Sequence, residues 1–305
     1  MDSILVFDWG GTFLKFALIA SNGKISEKDK VSTPHFPEAT KADFLGVIDS
    51  IVQKYAGKIS GIAISAPGIF DDLGNMKTAG ALVYLVNSSI CKEFEVRYKF
   101  PISIQNDGKC AALAELKAGS LRGCKNAAVM ILGTGVGGGL IINGELYKGT
   151  HGSAGEYSFL CTHPTQPIEE STFFATTGSA NYLSTLVSHR TGEFEKDLDG
   201  EKIFVRVQNG EEPICKALSA YTDLLASQIF NINMLLDLEK IAIGGGISAS
   251  PLLLESLKKS FDNFVTHNPF RFFNPAIPIP ELTTCTFKSD ANLLGAWYHF
   301  CAQHS

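Results

Sequence analysis

Two glycine-rich turns and one carboxylate carry the chemistry open to this sequence. Asp8-Trp9-Gly10-Gly11-Thr12 follows the apolar run 4–7, and Gly133-Thr134-Gly135-Val136-Gly137-Gly138-Gly139 follows the apolar run 127–132. Between them stands the pair Asn106-Asp107. Glycine is needed where backbone amides approach an oxyanion closely or take positive φ, so two such turns could clamp the phosphates of one nucleotide from both sides. An aspartate titrates near ~3.9, is ionised at neutral pH and can accept the proton of an attacking hydroxyl. Asn-Asp after a strand is equally the composition of a helix N-cap, and the two roles can coexist.

Such groups need strands that end in turns. The spacing predicts strands over 4–7, 13–20 and 25–31, with Ser21-Asn22-Gly23 as a hairpin turn. Over 43–55, Phe44, Val47, Ile48, Ile51 and Val52 recur at helical spacing. A buried strand over 61–65 ends at Ala66-Pro67-Gly68, and another over 102–105 has Asn106-Asp107 at its carboxyl end, ahead of a helix over 110–118. Carboxyl ends of strands are where open α/β sheets bind ligands. The second half repeats the theme: strand 127–132, the glycine turn, strand 140–142 and Asn143-Gly144. That order matches residues 4–20 and suggests a duplicated hairpin. A long helix over 214–236, a strand over 241–243, Gly244-Gly245-Gly246, a helix over 252–264 and a last helix over 290–300 capped by Asp290 complete the reading.

At 305 residues the chain is long enough for two lobes, each with a core. Its formal charge of −5 and lack of Lys/Arg clusters point away from nucleic acid. No apolar stretch reaches the ~18 residues of a membrane span. The N-terminus enters its first strand at Ile4, so no signal peptide is expected. The seven cysteines (91, 110, 124, 161, 215, 285, 301) are scattered and never form Cys-x-x-Cys, as suits reduced thiols in a cytoplasmic protein.

The ordered set Asp8-x-Gly-Gly-Thr12-x-x-Lys15, Ser65-Ala66-Pro67-Gly68, Asn106-Asp107, Gly133-Thr-Gly-Val-Gly-Gly138, Gly155-Glu156 and Ile243-Gly-Gly-Gly-Ile247 resembles the ROK family, sugar kinases and related repressors within the sugar kinase, actin and Hsp70 superfamily. The resemblance runs over nearly the whole chain. It implies a two-lobed α/β, ribonuclease H-like fold with mixed sheets that closes over sugar and ATP. The small lobe would be 1–118 joined by the C-terminal helix 290–305, and the large lobe 119–289. It also implies an ATP- and Mg²⁺-dependent kinase acting on the 6-hydroxyl of a hexose or derivative, with small-molecule partners and a homodimeric state. Asp8 would orient Mg²⁺ through water, and the amides of Gly10, Gly11 and Thr12, with Lys15, would meet phosphate. Gly133, Thr134, Gly135, Gly137 and Gly138 would hold the terminal phosphates of ATP, and Gly244, Gly245 and Gly246 its adenosine. Asp107 would be the catalytic base, and Gly80, Asn106, Asp107 and Glu156 would bind the sugar. A glutamate suits vicinal hydroxyls because it has two acceptor oxygens.

Several positions depart from the family pattern. Trp9 stands where a small aliphatic residue is usual, Lys109-Cys110 where a second Asn is common, and Phe159 where a histidine of the zinc site is usual. The cysteine-rich zinc loop is replaced by 160–167, with one cysteine, Cys161, and one histidine, His163. Structural zinc needs about four ligands, so none is expected, and Phe159, Leu160, Pro164 and Pro167 are expected to pin the loop. The stretch 156–179 resembles the zinc-less branch that includes N-acetylmannosamine and β-glucoside kinases. The family's second sugar glutamate, expected near 171–178, has no clear match: Phe173-Phe174 occupies the region, with Glu169 and Glu170 upstream. A repressor would carry a DNA-binding domain before the first strand, where this sequence has three residues. A sensor without turnover would have no need of Asp107.

Overall fold

The computed structural model describes residues 3–71, 73–163, 168–169, 172–272 and 277–304. Internal packing divides the chain into two units. Unit one is Met1–Gly119 with Leu146–Ala154 and Ser289–Ser305; unit two is Ser120–Glu145 with Gly155–Lys288.

Unit one grows from a strand buried on both faces. In β1 (Ser3–Trp9), side chains alternate between two cores because successive residues of a strand point to opposite faces. Leu5, Phe7 and Trp9 join one cluster, Ile4 and Val6 the other. β1 pairs antiparallel with β2 (Phe13–Ile19), which pairs with β3 (Ile25–Ser32). On its other side β1 pairs parallel with β4 (Ile59–Ala66), which pairs parallel with β5 (Ile102–Asn106). The first cluster includes side chains of α1 (Lys41–Tyr55) and α2 (Ile90–Tyr98). Thr40 starts α1 with a capping box: its hydroxyl accepts from the Asp43 amide, and its own amide donates to Asp43 Oδ2 at 2.8 Å. Trp9 belongs to this core, edge-on to Phe44 at 4.9 Å, which explains how an indole is tolerated beside the first glycine turn. The second cluster lies under α3 (Asp107–Ala118) and α9 (Ala291–Gln303). Close approach there depends on two glycines. A Cβ on Gly295 would lie 1.8 Å from the Cys110 carbonyl oxygen, and one on Gly61 would lie 2.3 Å from the Phe300 ring.

Unit two repeats this plan. The second sheet consists of β6 (Ala127–Leu132), β7 (Val136–Ile142), β8 (Glu145–Tyr147), β9 (Lys240–Gly244) and β10 (Glu281–Thr284). Among the described residues the two sheets run β3-β2-β1-β4-β5 and β8-β7-β6-β9-β10. The connection order is therefore the same in both, as the duplicated-hairpin reading requires. The helices are α4 (Phe174–Thr177), α5 (Ala180–Thr191), α6 (Gly200–Gln208), α7 (Glu212–Leu236) and α8 (Pro251–Thr266). α7 buries Ile214, Leu218, Tyr221, Leu225, Ile229 and Ile232 as one stripe and packs on α5, α6 and α8. Among the described residues no helix is long and apolar enough to cross a membrane.

Two local readings change. Strand β7 begins at Val136, so Gly137 and Gly138 are not in the turn but pair with Ile131 and Met130 in the ladder. At Gly138 the reason is packing: a Cβ there would lie 2.4 Å from the Tyr157 ring and 2.2 Å from the Val129 carbonyl oxygen. Asp290 occupies the N-cap position of α9 without a capping hydrogen bond, because its carboxylate pairs with Lys28 instead.

Candidate active site

In unit one the chemistry gathers at the carboxyl ends of β1, β4 and β5. Register places Asp8 beside Ser65, Ser65 beside Gln105, and Ala66 beside Asn106. By alternation Asp8 shares the strand face of Ile4 and Val6, toward α3 and α9. Its carboxylate is almost wholly buried and accepts three hydrogen bonds: from Lys15 Nζ at 3.2 Å, Ser65 Oγ at 3.3 Å and Asn292 Nδ2 at 3.0 Å. Lys15 is thus an ion-pair partner of Asp8. Asn292 escaped the sequence reading; its signal was a lone amide among the apolar residues that open α9.

Asn106 ends β5 and caps α3, its Oδ1 accepting from the Lys109 amide at 3.0 Å. Its Nδ2 donates to the Gly68 carbonyl at 2.9 Å, fixing the Ala66-Pro67-Gly68 turn to the start of the helix. Asp107 is the first residue of α3, where the positive end of the helix favours a carboxylate. Its Oδ1 accepts from the Gly108 amide at 2.8 Å. Gly68 sits at φ 110, and a Cβ there would lie 2.0 Å from the Thr78 carbonyl oxygen. Gly80 faces Pro67 across the same turn region, and Gly11 faces Ala81. The first glycine turn closes on itself, the Gly10 amide donating to the Phe13 carbonyl at 3.0 Å, which leaves Gly11 and the exposed Thr12 at the tip. Lys109 is buried; with Gln105, Asn106, Lys148 and His299 it lines an enclosed space of about 30 Å³, room for a water. Burial, with the Lys148 and His304 charges, pushes His299 down to about 4.

Unit two holds the other glycine segments around one cavity of about 750 Å³. Its lining includes Gly133 and Thr134 of the β6–β7 turn, Ala180 and Asn181 of α5, one face of α6, and Gly246 after β9. The turn is braced: the Gly133 amide donates to the Gly135 carbonyl at 3.0 Å, and the Gly133 carbonyl accepts from the Ala180 amide at 2.8 Å. Gly244 ends β9. Gly245, at φ 96, would press a Cβ to 2.1 Å from the Leu132 carbonyl oxygen, so the second and third glycine turns are in contact. Gly246 differs: a Cβ there meets nothing within 4 Å.

Glu156 directly precedes the short turn Tyr157–Phe159. Tyr157 is buried against Gly138, and Ser158 Oγ donates to the Val136 carbonyl at 3.0 Å, so this turn is tied to the β6–β7 hairpin. Phe159 is 70% exposed and does not pin the following loop, and Leu160 is half-buried. The loop is held by backbone instead. Cys161 bridges Phe173, the Thr162 amide donates to the Thr172 carbonyl at 2.8 Å, and the Phe174 amide to the Leu160 carbonyl at 2.8 Å. Pro164, Pro167, Glu170 and Ser171 lie outside the described residues. Cys161, His163 and Glu169 are exposed, and among the described residues no three His, Cys, Asp or Glu side chains group as metal ligands.

The chain is similar over nearly its whole length to known proteins. The family model described as ROK family matches residues 4–302. The chain is 26% identical over 306 residues to a β-glucoside kinase of Listeria monocytogenes, covering 99% of this chain and 98% of that protein. It is 26% identical to an N-acetylmannosamine kinase of Haemophilus influenzae, covering 96% and 94%. Among solved structures it resembles a ROK family protein from Streptococcus pneumoniae TIGR4 in complex with sucrose, at a TM-score of 0.85 and 31% identity, covering 99% of each chain.

Proposed function

The chain belongs to the ROK family, and from that premise we propose that it is an ATP-dependent sugar kinase, transferring the γ-phosphate to the 6-hydroxyl of a hexose or hexose derivative. The observation that carries this is the convergence of Asp8 and Asn106-Asp107 at the carboxyl ends of parallel strands. The β-glucoside kinase and N-acetylmannosamine kinase among its relatives support a β-glucoside or N-acetylmannosamine as acceptor, with a glucose-like sugar as the third candidate.

Phosphoryl transfer asks the protein for positioning and charge neutralisation more than for covalent chemistry. Asp107 is the base that takes the proton of the attacking hydroxyl, and the cap by Asn106 fixes the backbone on which it stands. Asn106, Gly80 and Glu156 are assigned to the sugar. Both polar atoms of Asn106 already have backbone partners, so a sugar hydroxyl would share its Oδ1. In unit two the Gly133–Gly135 turn is assigned to phosphate and Gly246 to the nucleoside; Gly138 serves by seating Tyr157.

The Asp8 site suits Mg²⁺ held through water. A carboxylate has about four acceptor positions, and three of them meet Lys15, Ser65 and Asn292. One remains, on Oδ2, for a metal-bound water. Bound Mg²⁺ would neutralise the transferring phosphates.

A coupled assay of ADP release against glucose, a β-glucoside, N-acetylmannosamine and N-acetylglucosamine tests the proposal. Turnover of one of them over the ATP-only background is expected, and background rates with all four would sink it.

A further inference from the structure

The cavity in unit two carries polar groups that the phosphate and sugar assignments leave unused. Glu201, Phe204, Val205 and Gln208 line it at positions i, i+3, i+4 and i+7 of α6, so one stripe of that helix faces the space. Phe204 is buried, with Ile247, Ala249 and Leu252 completing an apolar surface suited to a flat ring. Glu201, Gln208 and Asn181 also line the cavity, and among the described residues none of these three side chains has a protein partner. An apolar surface with a few convergent polar groups is the usual make-up of a small-molecule site.

Resting on the kinase reading, we propose that Glu201 selects the base of the phosphoryl donor, favouring a 6-aminopurine over a 6-oxopurine nucleotide. A carboxylate only accepts hydrogen bonds. The exocyclic amino group of adenine donates at the position where guanine presents an acceptor oxygen. Set against position 6, out of reach of the N1–H and 2-amino donors of guanine, Glu201 attracts the amino group of the first base and repels the oxygen of the second. Gln208, two turns further along the same stripe, can donate and accept, so it adds contact without choosing between them.

The position also has a diagnostic substitution. In Glu201→Gln the amide oxygen still accepts from a 6-amino group, while the amide nitrogen can donate to a 6-oxo group. A residue that merely supports α6, or one that holds the ribose common to both nucleotides, would change ADP and GDP affinity together.

Calorimetric titration of the whole protein with ADP and with GDP, in the presence of Mg²⁺ and without sugar, reads this independently of turnover. The wild type is expected to bind ADP at least about tenfold more tightly than GDP. In Glu201→Gln that ratio should fall to about threefold or less, chiefly through tighter GDP binding, since a matched hydrogen bond replaces a repulsive contact. Wild-type binding without preference, or equal weakening of both nucleotides in the variant, would overturn the assignment and leave the kinase reading standing. Failure of the wild type to bind either nucleotide would remove the kinase reading with it. Glu201 is exposed, so the variant is expected to keep the wild-type melting temperature, and that check accompanies the titration.

Discussion

Asn292 donates from Nδ2 to Asp8 Oδ1 at 3.0 Å, joining helix α9 to strand β1 across 284 positions of sequence. With Ser65 and Lys15 it fixes the orientation of a buried carboxylate. Asn292→Leu should cost about 1 kcal/mol of stability, the typical worth of one hydrogen bond. It should also raise the Mg²⁺ concentration needed for half-maximal turnover. A metal titration of activity in the two proteins checks this, and superimposable curves would remove Asp8 from the metal's surroundings.

Asp107→Asn keeps the shape of the side chain and loses its basicity. Turnover should fall by about 10²–10⁴-fold, the usual worth of general base catalysis, while the thermal transition stays within a few degrees of wild type. A variant that retained about a tenth of wild-type turnover or more would take the role of base away from Asp107.

Two glycines of unit two should respond in opposite ways to the same substitution. Gly138→Ala drives a methyl into Tyr157 and the Val129 carbonyl and should lower stability by about 1–3 kcal/mol, the range for overpacking. Gly246→Ala enters open space, so its stability should stay within about 0.5 kcal/mol of wild type. Its KM for ATP should rise, because the methyl projects from a residue lining the cavity proposed to hold the nucleotide. Urea denaturation read beside ATP kinetics separates the two effects.

His299 gives the fold a pH dependence. Its folded-state value is pushed from 6.5 down to about 4, mainly by burial. Between those values the unfolded chain binds the extra proton, so stability falls as pH drops through this window and levels off below about pH 4. The effect is on the order of 3 kcal/mol for complete titration. Denaturation midpoints between pH 4 and 7 for wild type and His299→Gln test it: the wild-type slope should exceed that of the variant.

Protein purified without added metal should contain well under one zinc per chain, because Cys161 and His163 alone do not supply a four-ligand site. Near-stoichiometric zinc by elemental analysis would reopen which residues hold the loop.

The sheets and the site motifs were legible because their signals are local. Apolar runs such as 4–7 and 127–132 end directly at glycine turns, and Asn106-Asp107 follows a strand without a gap. What stayed hidden depends on partners far away in sequence. Nothing around Asp290 shows that Lys28 will draw its carboxylate from the cap. Nothing around Gly138 shows that the ring of Tyr157 requires a bare backbone there. Phe159 reads as a pin by composition, yet backbone bonds through Thr162 and Phe174 do the holding. Helix α6 went unread although its face bears residues that line the unit-two cavity.

The core of unit one places Ile4, Val6, Ala17, Ile19, Ala63 and Cys110 under Leu293, Ala296, Trp297 and Phe300 of α9. During synthesis the first six emerge from the ribosome early, while α9 emerges only after all of unit two. The apolar side of the first sheet therefore waits, unsheltered, for more than half of the chain to be made. Unit two can condense before unit one is finished, which reverses the usual order in which the first-made domain folds first. Such a delay makes the nascent chain a client for chaperones that shield exposed sheet faces. Chains ending at Lys288 and tethered to the ribosome by an unrelated flexible linker long enough to clear the exit tunnel should show unit two resisting protease while unit one is digested, and equal protection of both would contradict this order.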